Sequence, residues 1–459
     1  MKITFKKIMG ICLSMVLALS VSLPTYAFEY DKGHLTIKNN EDFVNIDALN
    51  KDRIETVTIG NGVKEIKQYA FQGCTSLEEV TIPSNVTKIG QYSFKKCEGL
   101  EKVTIEDNAE AEATTTIDKQ AFKDCTELRE LTIGNCVKSI GNRAFMNCTS
   151  LQEVTIPDSV KSIGGGAFKD CTGLTSITIP DSVTSIGQQA FDNIDKNCEF
   201  HLTIGKEIEN KKIEDIVSIP KDKVKFVIIK DSVTKIGIRA FSGCTGLTSI
   251  TIPDSVKSIG GGAFKDCTDL TSINVDTRNP KYKSIDGVLF SKDGTKLIKY
   301  PEGKNADNYT VSDSVTSVGK WAFYGCTGLT SINIPDSVTS IGEAAFRGCK
   351  GLTSINVDEG NPNYKSIDGV LFSKDGTELI QYPEGKDADN YDIPDIVTSI
   401  GENAFNSCTS LTSINIPNSV TNIGDWAFHG CKGLKEVTIP KGTAYFINSF
   451  DKNTTVHRK

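Results

Sequence analysis

The sequence is short of the residues and motifs that most enzymes use for catalysis. Only four of its 459 residues are histidines, at the widely separated positions His34, His201, His429 and His457. No His-Glu-x-x-His, Cys-x-x-Cys, Gly-x-Ser-x-Gly or phosphate-loop pattern occurs. We therefore predict a protein that is not an enzyme and that has no catalytic residue, cofactor or metal. An enzyme that acts on polysaccharide through paired Asp and Glu side chains is the least favoured of three functional alternatives.

The chain also lacks a second long apolar run and any excess of positive charge. Lys2, Lys6 and Lys7 precede the apolar run 8–23, which ends at Thr25-Tyr26-Ala27. This order is typical of a secretory signal peptide over residues 1–27, and a retained membrane anchor is the alternative. Cleavage removes three lysines and no acid, so the formal charge changes from −7 to −10. An acidic chain without a further apolar span favours a secreted, extracellular or cell-surface protein, with no nucleic-acid partner and no membrane insertion after cleavage.

What the sequence does have is an internal repeat. A Phe, usually preceded by Ala, returns at a spacing that is mostly 23 residues, and we call these the marker Phe residues: Phe71, Phe94, Phe122, Phe145, Phe168, Phe191, Phe241, Phe264, Phe323, Phe346, Phe405 and Phe428. A fixed period in this range is the signature of a stacked repeat protein. The period therefore predicts one elongated repeat domain in place of several globular ones.

Each repeat follows the pattern Leu-x-x-Ile-x-Ile-Pro-x-x-Val-x-x-Ile-Gly-x-x-Ala-Phe-x-x-Cys. The alternation of Ile177 and Ile179 with Ser176 and Thr178 predicts a short strand with one buried face, which Pro180 ends. Val and Ile then form a second extended piece, and Ala-Phe-x-x-Cys predicts a helical or 3₁₀ turn that places Phe in the core. Stacking of about 14 such coils as parallel strands predicts a rod or arc.

This pattern resembles the BspA-like leucine-rich repeat family of bacterial surface and secreted proteins. The resemblance covers nearly all of residues 54–440 and recurs a dozen times. It implies a right-handed leucine-rich-repeat solenoid, often located on the cell surface, with adhesion to host or bacterial partners in some members.

Departures from the period divide the chain further. We predict an N-terminal cap over residues 28–50, the solenoid over 51–440 and a C-terminal tail over 441–459, with a degenerate coil between Cys198 and Ile229. Insertions at 276–312 and 358–394 share a nearly identical segment. In each, Asp-Gly between two apolar runs predicts a β-hairpin, at Asp293–Gly294 and at Asp375–Gly376. We expect these hairpins to form an exposed ridge.

Cysteine follows the same period. Eleven of the 14 cysteines lie three residues after a marker Phe. The sequence favours a column of buried free thiols, because each Cys belongs to the core pattern of its own coil. Disulfides between neighbouring coils and a metal ladder are the alternatives. Cys136 and Cys198 lie outside this column, and we expect an exposed thiol at one of these two positions.

The candidate binding face consists of the polar residue between the two apolar positions of each strand. We select Thr155, Thr178, Thr251, Asn274, Asn333, Asn356 and Asn415. Stacked in one row, they form either a cross-strand ladder that stabilises the sheet or a concave surface that binds protein or glycan on host or neighbouring cells. The competing functional class is a structural surface or matrix component that associates with copies of itself.

Overall fold

The computed structural model describes residues 29–108, 114–213 and 219–459. The predicted signal peptide lies outside the described residues. The described residues divide into two compact units: unit 1 comprises those within 1–152, 163–173 and 189–194, and unit 2 those within 153–162, 174–188 and 195–459. Across the described ranges, no helix is both long enough and apolar enough to cross a membrane.

The described chain is built almost entirely from short strands. The first strand of each coil, which we call the main strand, occupies His34–Asn39, Thr56–Gly62, Glu79–Ile82, Lys102–Ile105, Glu130–Thr132, Glu153–Thr155, Ser176–Ile179, Glu199–Ile204, Val224–Ile229, Ser249–Ile252, Ser272–Val275, Asn308–Thr310, Ser331–Ile334, Ser354–Val357, Asn390–Asp392, Ser413–Asn415, Glu436–Ile439 and Thr455–Arg458. The second strand of each coil, which we call the short strand, occupies Glu65–Ile66, Lys88–Ile89, Thr115–Ile117, Val137–Ile140, Ser162–Ile163, Ser185–Ile186, Lys235–Ile236, Ser258–Ile259, Lys296–Lys299, Ser317–Val318, Ser340–Ile341, Glu378–Gln381, Ser399–Ile400, Asn422–Ile423 and Ala444–Tyr445.

The remaining regular elements are few. Antiparallel strands lie at Glu29–Asp31, Tyr282–Ile285, Val288–Ser291, Tyr364–Ile367 and Val370–Ser373. Short 3₁₀ segments lie at Asn40–Ala48, Lys51–Arg53, Lys206–Glu209 and Lys221–Lys223.

Most main strands pair in parallel with the main strand of a neighbouring coil, as predicted for a leucine-rich-repeat solenoid. In Ser249–Ile252, Ile250 and Ile252 are buried while Thr251 is exposed. This strand pairs in register with Ser272–Val275. The alternation therefore directs one side of every main strand into a core shared by neighbouring coils.

The marker Phe rings form stacked columns within that core. In unit 1, successive rings from Phe71 to Phe191 are nearly parallel, with the centroids of Phe71 and Phe94 4.9 Å apart and those of Phe168 and Phe191 5.8 Å apart. Each coil supplies one ring and buries it against the next. A single repeat has no partner for its ring, so the stack is the unit of stability.

The turn around each marker Phe has the predicted hydrogen bonds but does not continue into a helix. The Ala70 N–H donates to the Lys67 carbonyl and the Cys74 N–H to the Phe71 carbonyl, each at 3.2 Å and each spanning three residues. Tyr69 has a φ of 63° and Gly73 a φ of 78°, both in the left-handed region. A left-handed residue reverses the local backbone direction, so each turn ends before a second helical turn begins.

The described residues contain about 18 coils, more than the 14 expected from the sequence. Six main strands are not followed by a marker Phe, which is why the count from Phe was too low. In two of those coils, Tyr300 and Tyr382 take the place of Phe: the Tyr300 ring stacks on Phe323 at 5.4 Å and the Tyr382 ring on Phe405 at 5.1 Å.

The solenoid extends beyond the predicted boundaries at both ends. His34–Asn39 lies within the predicted cap and pairs in parallel with Thr56–Gly62, while Glu29–Asp31 adds an antiparallel strand outside it. Thr455–Arg458 lies within the predicted tail and pairs in parallel with Glu436–Ile439. The stacked parallel strands therefore continue into residues 441–459.

Both insertions contain the predicted hairpin, but neither forms an exposed ridge. Val288–Ser291 and Lys296–Lys299 pair in antiparallel fashion around Asp293–Gly294, and the second insertion repeats this around Asp375–Gly376. Val288, Leu289 and Phe290 are buried. Lys296–Lys299 then pairs in parallel with Ser317–Val318, as the short strand of its own coil. The prediction of an exposed ridge was wrong because the apolar strand Val288–Ser291 packs into the core.

Candidate functional site

The seven candidate residues all lie in unit 2 and on the outward face, by which we mean the side of the main strands that points away from the core. Thr155, Thr251, Asn274, Asn356 and Asn415 are exposed, and Thr178 and Asn333 are half-buried. Their orientation follows from the alternation of the main strands, in which every second side chain points into the core.

The structure brings these residues together in pairs and not in one continuous row. Thr155 faces Thr178, Thr251 faces Asn274, and Asn333 faces Asn356, each across one parallel strand pair. Asn415 faces Asp392, which the sequence analysis did not select. Two kinds of irregularity separate the pairs.

The first irregularity lies at the degenerate coil. Thr178 faces His201, and His201 faces Phe226 after a register shift that passes over Lys225. The outward residues here are consequently Phe226, which is 41% exposed, and Ile228, which is 63% exposed. The His201 and Phe226 rings meet edge to face at 4.8 Å. An apolar patch therefore divides the polar row.

The second irregularity is the insertion hairpin. The Ile273 N–H donates to the Gly287 carbonyl at 2.8 Å, and the Ile355 N–H donates to the Gly369 carbonyl at the same distance. These N–H groups face the position that the next main strand takes in a regular coil. A Cβ on Gly287 would lie 2.7 Å from the Ser272 Oγ, so glycine permits this close approach. The main sheet is thus interrupted after residues 275 and 357.

Between the two insertions the outward face carries a hydrogen-bonded ladder of neutral side chains. The Asn333 amide donates to the Thr310 Oγ1 at 3.0 Å, and the Asn356 amide donates to the Asn333 Oδ1 at 2.9 Å. The Ser354 hydroxyl donates to the Asn356 Oδ1 at 2.6 Å. Sequence reasoning missed Thr310, although it lies 23 residues before Asn333. We call Thr310, Asn333 and Asn356 the amide ladder.

The outward face of unit 1 has a different character. Glu79, Lys102 and Glu130 occupy neighbouring strands, and the Lys102 Nζ lies 3.1 Å from the Glu130 Oε2. Arg129 adds further ion pairs beside them, with Glu101 at 3.3 Å and Glu127 at 2.7 Å. This surface is charged and largely self-paired, whereas the amide ladder is neutral.

The cysteines form the predicted column of free thiols. The thirteen cysteines of the described residues are all buried, and no disulfide joins any two of them. The Cys97 thiol donates to the Phe71 carbonyl at 3.1 Å and the Cys431 thiol to the Phe405 carbonyl at 3.0 Å. Burial raises the pKa of Cys431 to about 12. A thiol that stays protonated is a poor nucleophile and a poor metal ligand.

The expected exposed thiol is not found. Cys136 is 2% exposed and Cys198 1% exposed. Cys136 donates to the Glu106 carbonyl at 3.2 Å, and burial raises the pKa of Cys198 to about 11. The prediction was wrong because both residues take part in the core although they lie outside the period. Among the described residues, no group of three or more His, Cys, Asp or Glu side chains is arranged to hold a metal ion.

Parallel main strands, one per repeat, and a core of Leu, Ile, Val and stacked Phe define a leucine-rich-repeat solenoid. The sequence matches the model of the BspA type leucine rich repeat region over residues 42–112, 115–219, 211–305, 300–386 and 381–458. The chain belongs to this family.

Several solved structures are similar to the chain. A leucine rich cell surface protein from Faecalibacterium prausnitzii is 29% identical over 91% of this chain and 94% of its own, with a TM-score of 0.38. Leucine-rich repeat proteins from Eubacterium ventriosum and Bacteroides ovatus are 20% and 24% identical, cover 94% and 96% of this chain and 92% and 100% of their own, and give TM-scores of 0.37 and 0.32. These scores are too low to support a functional argument. No curated protein matches the sequence.

Proposed function

We propose that this chain is a secreted or cell-surface binding protein, not an enzyme, and that it binds a protein or glycan on host or neighbouring cells through the outward face of unit 2. The amide ladder is the observation that carries this proposal. An Asn side chain has two N–H donors and two acceptor lone pairs. The bonds of the ladder use one donor and one acceptor of Asn333, so the remainder faces solvent in a fixed orientation.

The composition of this face supports the same proposal. Ser331 and Ser354 lie beside the ladder on its own strands, and no Lys, Arg, Asp or Glu occupies Ser331–Ile334 or Ser354–Val357. A neutral array of hydroxyl and amide groups suits sugar hydroxyls or a peptide backbone. Solenoids commonly use such extended faces for binding. A partner with a strongly negative surface, such as nucleic acid, does not fit the acidic charge of the chain.

Two lysine substitutions in the amide ladder test whether this face binds the partner. In residues 28–459, Asn333→Lys with Asn356→Lys is expected to abolish binding to immobilised host-matrix or bacterial-surface fractions. The melting temperature should stay nearly constant, because exposed substitutions usually change stability within about 0.5 kcal/mol. The matched control is Thr81→Lys with Thr132→Lys, two exposed positions on the outward face of unit 1. Lys292→Glu with Lys374→Glu provides a second control at the insertions.

If the unit 1 pair loses binding and the ladder pair retains it, the site belongs to unit 1 and the proposal is wrong. If the insertion variant alone loses binding, the site lies on the hairpins. Loss of binding together with a fall in melting temperature would show that the ladder is needed only for folding.

Self-association as a structural component is the second candidate, and the exposed Phe226 and Ile228 favour it. Contiguous exposed apolar side chains often mark interfaces. On this hypothesis, sedimentation velocity should show concentration-dependent assembly that Phe226→Ser with Ile228→Ser abolishes. Ile238→Ser is the matched control, because Ile238 is 70% exposed but lies outside the main strands. A monomer at all concentrations would exclude this candidate.

A further inference from the structure

A cleft of about 780 Å³ lies at the C-terminal end of unit 2, between the turn that follows Phe428 and the segment 447–454. Its walls include Trp426 and His429, whose rings meet edge to face at 4.5 Å. Phe450 lines it and is buried, stacked on Phe428 at 5.1 Å. Ile447, at 94% exposure, stands at its edge. A cleft of this volume is within the range of small-ligand sites.

The charge of this cleft is opposite to that of the chain. Lys432, Lys435 and Lys452 line it, against a single acid, Asp451. The Asp451 Oδ1 already accepts the Gly430 N–H at 3.0 Å. None of the three lysines forms an ion pair with a described carboxylate. The chain as a whole carries a formal charge of −7, so the cleft is a local positive site on an acidic protein.

Three features of the lining narrow the class of ligand. The ammonium groups suit a carboxylate or sulfate, to which they can donate charge-assisted hydrogen bonds. The aromatic pair and the buried Phe450 suit an apolar ring face, and the amides of Asn448 and Asn453 suit hydroxyl groups. An acidic sugar has all three: a charged group, hydroxyls and a ring with an apolar C–H face.

We propose that this cleft binds the carboxylated or sulfated sugar units of an acidic glycan. It is formed by a turn and by the segment that follows Tyr445, not by the outward face of the main strands. The proposal therefore does not rest on the amide ladder, and the two can succeed or fail separately.

The two tryptophans of the chain make a direct test possible. In a Trp321→Phe background, Trp426 is the sole tryptophan, so its fluorescence reports on the cleft. Titration of residues 28–459 with a chondroitin sulfate hexasaccharide is expected to change this fluorescence saturably, with an affinity that falls as salt is added. Uncharged chitohexaose and hexaglutamate should not compete at equal concentration.

Removal of two lysines gives the second arm of the test. Lys432→Gln with Lys452→Gln should weaken hexasaccharide binding by about tenfold or more. Lys119→Gln with Lys138→Gln, two exposed lysines of unit 1, makes the same change in net charge and should leave binding unaltered. Melting temperatures of both variants check that the fold is kept.

Four results would overturn the proposal. Absence of any fluorescence change would show that the cleft does not bind this class of glycan. Equal binding of chitohexaose would show that the ligand needs no anionic group. Equal binding of hexaglutamate would show that the ligand need not be a sugar. An equal loss in the unit 1 variant would reduce the interaction to nonspecific charge. None of these results would bear on the Asn333 and Asn356 variants.

Discussion

The two insertions have almost the same sequence 82 residues apart, yet their buried polar groups differ. In the first, the Lys299 Nζ lies 3.0 Å from the Glu302 Oε1, and the two side chains are 11% and 2% exposed. Lys299 also donates to the Tyr324 carbonyl at 2.9 Å. In the second insertion, Gln381 stands at the position of Lys299, and Glu384 corresponds to Glu302. A buried carboxylate therefore has a cationic partner in one copy only.

The second insertion has different buried contacts at these two positions. Gln381 donates to the Tyr382 and Ala404 carbonyls, at 2.9 and 3.2 Å, and not to Glu384. The Glu384 Oε2 is buried and has no hydrogen-bond partner among the described residues. Burial raises the pKa of Glu384 to about 7, and Gly348, Lys350 and Arg347 oppose the shift only in part.

In the first insertion burial also raises the pKa of Glu302, and Lys299 acts against it. Two coils with nearly the same sequence therefore differ in the polar contacts of their cores. The comparison teaches that a duplicated fold does not preserve its buried electrostatics.

Removal of the Glu302 charge should have the largest effect. Glu302→Gln leaves the Lys299 ammonium buried without a counter-charge and should lower the free energy of unfolding by roughly 3 kcal/mol. Urea denaturation at pH 7 measures it. Glu384→Gln is the matched substitution in the other copy and should not destabilise, because no cation depends on Glu384 in the way that Lys299 depends on Glu302. Equal losses in the two variants would show that the ion pair does not distinguish the copies.

The pH dependence of stability should sharpen the comparison. The folded-state pKa of Glu384 lies above its ordinary value of 4.5, at about 7. The folded protein then keeps this proton in a range where the unfolded chain has lost it. The contribution of Glu384 to the free energy of unfolding is therefore greatest below about pH 4.5 and falls as the pH rises to about 7.

Glu384→Gln removes this fall. Calorimetry should find its melting temperature close to that of the parent at pH 4.5 and above it at pH 8. Gln381→Lys supplies the missing cation and should also flatten the profile, by lowering the pKa of Glu384. Parallel profiles for parent and Glu384→Gln would contradict the raised pKa.

Substitution of the two tyrosines that take the place of a marker Phe should have the smallest effect on stability. The effect should be equal in the two insertions. Tyr300 and Tyr382 are buried, and among the described residues neither hydroxyl has a hydrogen-bond partner. An unpaired buried hydroxyl carries a desolvation cost, so Tyr300→Phe and Tyr382→Phe should each stabilise the protein by about 1 kcal/mol. Urea denaturation of both single variants and the double variant measures the gain. A loss of stability would mean that the hydroxyls make a favourable interaction, and Phe323→Tyr, expected to destabilise, is the control.

Much of the fold could be predicted because the same sequence pattern recurs many times along the chain. The alternation of Ile177 and Ile179 with polar neighbours gave the main strands and their buried face. The period placed the Cys column in the core. The two coils that carry Tyr in place of the marker Phe also follow the repeat spacing, since Tyr300 lies 23 residues before Phe323. They are not counted when Phe alone is taken as the marker.

The candidate site was predicted only in part. The outward orientation of Thr178 and Asn333 follows from strand alternation, which is a local property of the chain. The identity of their neighbours on adjacent strands does not follow from it, because pairing across strands depends on register. The shift at Lys225 and the bond between Ile273 and Gly287 break the row, and neither has a periodic signal.

The sequence by itself determined the class of fold, the core residues that follow the repeat and the side of the sheet that faces solvent. These follow from periodicity, which fixes direction residue by residue along the chain. Only the tertiary structure decided which polar residues become neighbours, that the insertion strands enter the core, and that Lys299 and Glu302 form an ion pair there while Glu384 forms none among the described residues. Such contacts arise between coils, where a single substitution or a one-residue shift changes the partner without changing the pattern.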